Sequence, residues 1–188
     1  MRSGGVVVGP TDTVYGIFAN ATDSKAIKKI FEMKGRSQKP LLIFVRDIAM
    51  ARWYAYISDI KAKFLEKVWP GAVTVIFHHK EKLPKILTGK SNTIGIRMPD
   101  HAFLSELLER LDFPLAQTSA NASGKPVARN IREIKEYFKQ QKIKPDLIID
   151  GGELPDNPST IIDLTRDKAA ILRTGVVSKE ELEKMLNL

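Results

Sequence analysis

Short, fully apolar runs alternate along this chain with segments of helical period, and that alternation leaves few folds open to it. Strands are expected at 5–8, 41–45, 73–77, 93–98, 115–118, 147–149, 160–164 and 170–173. Between them, helices are expected at 24–33, 48–56, 59–68, 101–111 and 130–139, with a last one opened by Ser178. In the first helix Ile27, Ile30, Phe31 and Lys34 fall at i, i+3, i+4 and i+7, one face of the helical period. Asp100 is the expected N-cap of the helix at 101–111. Asn130 with Glu133, and Ser178 with Glu181, have capping-box spacing. Leu41 to Val45 carries no polar residue and reads as a strand covered on both faces. The expected fold is α/β: one domain over 1–188, with a twisted, largely parallel or mixed sheet flanked by helices. Strand order is not legible.

Composition narrows the chemistry. The 188 residues include no cysteine, which removes disulfides, thiolate nucleophiles and cysteine-bound metal. Adjacent His78 and His79 at a strand end point to opposite faces and make no chelate, so no structural metal is expected. No run approaches the roughly 18 apolar residues of a membrane span. The apolar stretch before Gly9-Pro10 is too short for a signal peptide, and the chain is expected to be cytoplasmic. The formal net charge is +8, placed unevenly. Between Lys61 and Arg97 there are eight basic and two acidic residues, whereas from Asp150 onward eight acidic residues face five basic ones. Such charge suits nucleotide phosphates or nucleic acid, and equally a solvated lysine-rich surface.

The common nucleotide signatures fail. No GxGxxG follows a strand, and Gly89-Lys90-Ser91 lacks the first glycine of a phosphate-binding loop, where Pro84 stands instead. Three other stretches are harder to read as packing. Gly9-Pro10-Thr11-Asp12-Thr13-Val14-Tyr15-Gly16 follows a buried strand, where ligands bind in α/β sheets. A turn whose Asp and Thr side chains bond their own backbone accounts for it as well. Lys34-Gly35-Arg36-Ser37-Gln38-Lys39 suits a phosphate clamp, although a helix C-terminus with Gly35 as cap also favours a cation. Thr118-Ser119-Ala120-Asn121-Ala122-Ser123-Gly124 offers hydroxyl and amide groups for phosphate oxygens or Mg²⁺. Arg97, inside an apolar run, needs an anionic partner from the protein or from a substrate. No Ser/His/Asp order or lysine nucleophile stands out, so covalent catalysis is not indicated.

Seven segments then fall in one order: Pro10-Thr11-Asp12-Thr13-Val14-Tyr15-Gly16, Lys34-Gly35-Arg36 with Lys39-Pro40-Leu41, Trp69-Pro70-Gly71, Ile96-Arg97-Met98-Pro99, Thr118-Ser119-Ala120-Asn121 with Ser123-Gly124, Pro158-Ser159-Thr160, and Leu172-Arg173-Thr174-Gly175. In this order the chain resembles the YrdC/TsaC family, over almost its whole length. The resemblance implies a deep, basic concave site, and a nucleotidyltransferase that combines L-threonine, bicarbonate and ATP into threonylcarbamoyl-AMP and pyrophosphate, with Mg²⁺ brought by the nucleotide. It also implies a place in t⁶A modification of tRNA, with the product handed to a tRNA threonylcarbamoyl transferase complex, and weak RNA binding. By the same likeness Lys34, Arg36, Ser119 and Asn121 are catalytic and hold ATP, with Arg173 near the phosphates. Thr11, Thr13, Tyr15, Arg97 and Ser159 fall on positions that hold threonine. Two rivals remain: a module that binds double-stranded RNA or tRNA without catalysis, and a synthase for another carbamoyl substrate. The latter accompanies acylphosphatase and zinc-finger parts absent from this sequence.

Overall fold

Apolar residues spaced two apart along nine short strands draw the chain into one mixed sheet. In this computed structural model residues 1–35, 39–121, 126–139, 141–166 and 168–186 are described. The strands are β1 (Val7–Gly9), β2 (Gly16–Asn20), β3 (Leu42–Phe44), β4 (Val73–His78), β5 (Thr93–Arg97), β6 (Leu115–Ser119), β7 (Leu147–Ile148), β8 (Thr160–Asp163) and β9 (Ala170–Arg173). Their spatial order is β7-β1-β2-β6-β3-β5-β4-β8-β9. Five neighbouring pairs are antiparallel and three, β1–β7, β3–β5 and β4–β8, are parallel. The sheet is therefore mixed, not largely parallel.

The helices are α1 (Ser24–Met33), α2 (Ile48–Tyr54), α3 (Asp59–Val68), α4 (Lys85–Thr88), α5 (Ala102–Glu109), α6 (Ile131–Lys139) and α7 (Lys179–Leu186). Helix α1 starts where the Asp23 carboxylate accepts from Lys25 N and Ala26 N, a cap worth about 1 kcal/mol. Its C-cap is Lys34, and Gly35, the expected cap, follows one residue later at φ +58°. Ser178 and Glu181 form a reciprocal capping box, while Asn130 accepts from Glu133 N and the Glu133 carboxylate accepts from Arg129 N and Asn130 Nδ2. Asp100 does not cap α5. His101 holds that position without a side-chain bond, because Asp100 N is turned to donate to Asp12 Oδ2.

The two-residue period separates the faces of the sheet. Ile43, Val73, Val75, Ile94, Ile96 and Ala116 join the main core with Ile27 and Ile30 of α1 and Phe64 and Leu65 of α3. Each such fully buried aliphatic side chain contributes roughly 1.5–3 kcal/mol. Positions of the other parity, Phe18, Phe44 and Leu115, form a smaller cluster with Leu104 and Leu108 of α5. That cluster covers only part of the second face. The rest of that face is open, and the cleft lies there.

Candidate active site

The floor of the cleft is made by strand positions that the period turns away from the main core. Thr74 and Ile76 of β4, Thr93, Gly95 and Arg97 of β5, Gln117 and Ser119 of β6, Leu42 of β3 and Ile161 of β8 all line it. Its volume is about 580 Å³, within the range of small-molecule sites. Among the described residues its wall holds two arginines, Arg97 and Arg173, and no carboxylate. An anionic ligand is what such a wall favours.

At the β6 end stands a cluster of three candidate residues. Lys34 Nζ, carried by the C-terminus of α1, donates to Ser119 O at 2.6 Å and to Asn121 Oδ1 at 3.0 Å. Ser119 Oγ donates to the same Asn121 Oδ1 at 2.6 Å. Ser119 and Asn121 line the cleft, and Lys34 is packed directly behind them with 3% of its surface exposed. A lysine so buried is no solvated surface charge, and burial of that charge is tolerable only with fixed oxygen partners. Arg36, the fourth member expected here, lies outside the described residues, as do Ser123 and Gly124.

The other end gathers Thr13, Arg97, Ser159 and Arg173. Arg97 is 3% exposed and its anionic partner is Asp12, with Nη2 at 2.6 Å from Oδ2. Its Nε donates to Gly71 O at 2.8 Å, and Nη1 donates to Thr13 Oγ1 at 3.0 Å. The Trp69-Pro70-Gly71 turn is itself tied down by Trp69 Nε1 donating to Val73 O and Gly71 N donating to Met98 O. Burial pulls the Arg97 guanidinium below its ordinary pKa, and Asp12 pushes it back up. The protein, not a substrate, supplies the counter-ion that the sequence demanded.

Arg173 is more exposed. Its Nε and Nη2 donate to Ser159 O at 3.1 and 2.8 Å, and no carboxylate pairs with it among the described residues. Ser159 Oγ shares a hydrogen bond with Thr74 Oγ1 at 2.9 Å. Gly175 lets the following turn close: a Cβ there would stand 2.0 Å from Pro158 O. Ser159, expected near the amino-acid end, and Arg173, expected near the phosphates, are thus bonded directly to each other.

Two expected threonine-binding residues fall outside the cleft wall. Thr11 Oγ1 accepts from Thr13 N and Val14 N and donates to Val14 O, so it serves the turn that presents Thr13. Tyr15 is fully buried; its hydroxyl donates to Gly152 O and accepts from Gly151 N. The turn expected for this stretch is formed, and Thr13 and Val14 from it line the cleft.

Thr74, Ser91, Thr93, Gly95 and Gln117 were not singled out from the sequence, yet they line the cleft. The signals were a lone threonine inside the β4 run, a glycine inside the β5 run, and Thr93, Gly95 and Arg97 at alternating positions. Among the described residues no group of three His, Cys, Asp or Glu side chains could hold a metal, and no helix is long and apolar enough to cross a membrane.

Known proteins share the sequence and the fold of this chain. The Sua5/YciO/YrdC family model, described as "Telomere recombination", matches residues 1–175, a span that contains every cleft residue. The chain is 39% identical over 189 residues to the threonylcarbamoyl-AMP synthase of Pyrococcus abyssi, covering 99% of this chain and 55% of that protein. It is 37% identical over 196 residues to the Bacillus subtilis threonylcarbamoyl-AMP synthase, covering 99% and 54%. The crystal structure of P. abyssi Sua5 complexed with L-threonine has the same fold, with a TM-score of 0.90 at 38% identity over 98% of this chain and 54% of that one. The chain spans about half the length of these relatives. Similarity through nearly all of this chain, in sequence and in fold, places it in the Sua5/YciO/YrdC family.

Proposed function

We propose that the chain is a threonylcarbamoyl-AMP synthase, a nucleotidyltransferase acting for t⁶A modification of tRNA. The observation that carries the proposal is the cleft itself. It has two cationic ends, a wall without a described carboxylate, and a Lys34–Ser119–Asn121 cluster at one end. The names of the relatives and the L-threonine complex of one of them support the choice of reaction.

In this reaction the amine of L-threonine takes up CO₂ or bicarbonate to form a carbamate. A carbamate oxygen attacks the α-phosphorus of ATP, the bond to the β-phosphate oxygen breaks, and pyrophosphate leaves. Phosphoryl transfer of this kind needs alignment and charge stabilisation more than a strong base. Lys34, fixed by two oxygens, holds positive charge against the triphosphate, and the family likeness gives Arg36 the same role. Asn121 Oδ1 already accepts two bonds, so Asn121 serves phosphate oxygens through its amide N–H groups. Thr13 and Ser159 present hydroxyls to the threonine side chain, and Thr74 adds a third. Of the two arginines, Arg173 meets an incoming anion first, because Asp12 already neutralises Arg97.

Mg²⁺ fits this donor set only as an ion brought by ATP. Ser119 Oγ gives its proton to Asn121, leaving its lone pairs for such an ion, which would spread the charge of the leaving pyrophosphate. The product would then pass to a tRNA threonylcarbamoyl transferase complex.

The test is pyrophosphate release by the purified protein with ATP and Mg²⁺. Fast release is expected only when L-threonine and bicarbonate are both present. Equal release with threonine omitted would overturn the reading, and no release with any amino acid would favour a binding module.

A further inference from the structure

Three oxygen atoms in the turn after β1 fix where one hydrogen lies. Thr11 Oγ1 donates to Val14 O at 2.8 Å, and a carbonyl can only accept, so the single hydroxyl hydrogen of Thr11 is used there. Thr13 Oγ1 stands 3.0 Å from Thr11 Oγ1. Two hydroxyl oxygens at that distance attract only with a hydrogen between them, and it has to be the hydrogen of Thr13. Arg97 Nη1 then donates to Thr13 Oγ1 at 3.0 Å. A guanidinium has no acceptor, so one of the two lone pairs of Thr13 Oγ1 is taken. The arginine cannot turn away, since Gly71 O holds its Nε and Asp12 stands against its Nη2. Thr11 and Thr13 are each 2% exposed, so these bonds form in a low-dielectric interior where they are stronger. What Thr13 offers the cleft it lines is one lone pair and no hydrogen.

We propose that Thr11 is a positioning residue for substrate choice, acting through Thr13. By holding the Thr13 hydrogen it makes Thr13 an acceptor only, so the group docked there must donate: the side-chain hydroxyl of a β-hydroxy amino acid. Placing that side chain on Thr13 rests on the function proposed above; the hydrogen-bond polarity does not. A ligand carbonyl or ether at Thr13 would set two acceptors against each other. The neighbouring pair behaves otherwise. Thr74 Oγ1 and Ser159 Oγ, 2.9 Å apart, have two hydrogens for one mutual bond, so this pair can give or receive toward a ligand. Of these three hydroxyls only that of Thr13 has a fixed direction. A fixed direction lets a buried site reject a ligand of suitable shape and wrong polarity.

One pair of ligands separates polarity from shape. O-methyl-L-serine and L-norvaline differ by an ether oxygen in place of a methylene, so the first side chain can accept a hydrogen bond and neither can donate one. Dissociation constants of L-threonine, L-serine and both analogues are measured by NMR titration of the full chain, without ATP. L-Serine should bind at least about tenfold more tightly than O-methyl-L-serine. Thr13→Val should weaken L-threonine and L-serine about tenfold and leave both analogues unaltered, since neither donates to Thr13. Thr11→Val keeps the shape but frees the Thr13 hydrogen to turn into the cleft. The affinity of O-methyl-L-serine relative to L-norvaline should then rise roughly fivefold, the size of one neutral hydrogen bond. Thr11→Ser, which keeps the hydroxyl, should restore the parent ratio. L-Norvaline makes no bond to Thr13, so its unchanged affinity reports an intact cleft in each variant.

Weaker binding of O-methyl-L-serine alone in Thr13→Val would show Thr13 donating to the ligand and overturn the inference. A constant analogue ratio in Thr11→Val would do the same. So would a loss shared equally by all four ligands in Thr11→Val, which would make Thr11 a part of the turn and nothing more. Each of these results leaves the synthase reading in place. Binding of none of the four ligands by the parent chain would remove that reading, and this inference with it.

Discussion

At the scale of single residues, the decisive contacts are buried charges with fixed partners. Asp12, in the turn after β1 and outside the cleft lining, pairs with Arg97 at the end of β5. Removing one member of such a pair leaves an uncompensated charge, which costs about 3–5 kcal/mol. Asp12→Asn should therefore lower stability by about 3 kcal/mol, read as a shift of the urea midpoint at constant slope. The double variant Asp12→Asn/Arg97→Met should recover much of that loss, because replacing a whole buried pair is often near neutral. A single variant as stable as the parent would mean that Arg97 finds its balance elsewhere. Lys34 gives the matching functional test. Lys34→Met keeps the stem but removes the ammonium that Ser119 and Asn121 hold. It should cut kcat/KM for ATP by roughly a hundredfold, the size expected for losing one preorganised electrostatic group.

Elements set the shape of the cleft through the parity of their side chains. In β5 the three residues Thr93, Gly95 and Arg97 face the cleft while Ile94 and Ile96 face the core. At Gly95 in the floor, a Cβ would stand 3.3 Å from both Leu42 Cβ and Thr74 Cγ2. Gly95→Val should favour the strand locally but fill this floor. The variant is expected to unfold cooperatively near the parent Tm and yet lose at least about tenfold in pyrophosphate release. Unchanged turnover would show that ligands do not reach the β5 floor. The same parity bears on β3, expected to be covered on both faces: Ile43 faces the main core, but Leu42 lines the cleft.

For the whole molecule, one ion pair joins the sheet edge to the helical layer. Asp146, just before β7, accepts from Lys29 Nζ of α1 at 2.7 Å and from Val6 N at 2.6 Å. Lys29 above all, with the Val6 amide, holds the Asp146 carboxyl below its usual pKa. A depressed folded pKa adds stability above the unfolded value, and that contribution fades as pH falls below about 4. Asp146→Asn should therefore destabilise the protein at neutral pH by about 1 kcal/mol or less, given its half-exposed side chain, and have no effect in strong acid. Urea midpoints of both proteins across that range check the sign; a gap that widens in acid would refute it.

The helices α1 and α3, the Ser178–Glu181 capping box and eight of the nine strands were legible because local period and caps are written in neighbouring residues. The stretches after β1 and β6 stood out because polar residues follow apolar strands there, which packing alone does not favour, and Lys34 stood out in a cluster of cations past a helix end. Strand β2 was missed: Gly16 begins it and Asn20 ends it, and the Thr-rich turn before it masked its short apolar stretch. Helix α4 was missed because one turn has no period to read. Strand order, the Asp12 partner of Arg97, the burial of Tyr15 and the meeting of Arg173 with Ser159 came only with tertiary structure. These are contacts between residues 14 to 137 positions apart. Local sequence limits which side chains are exposed on a strand or helix; which distant strand arrives beside them is set by the packing of the whole sheet.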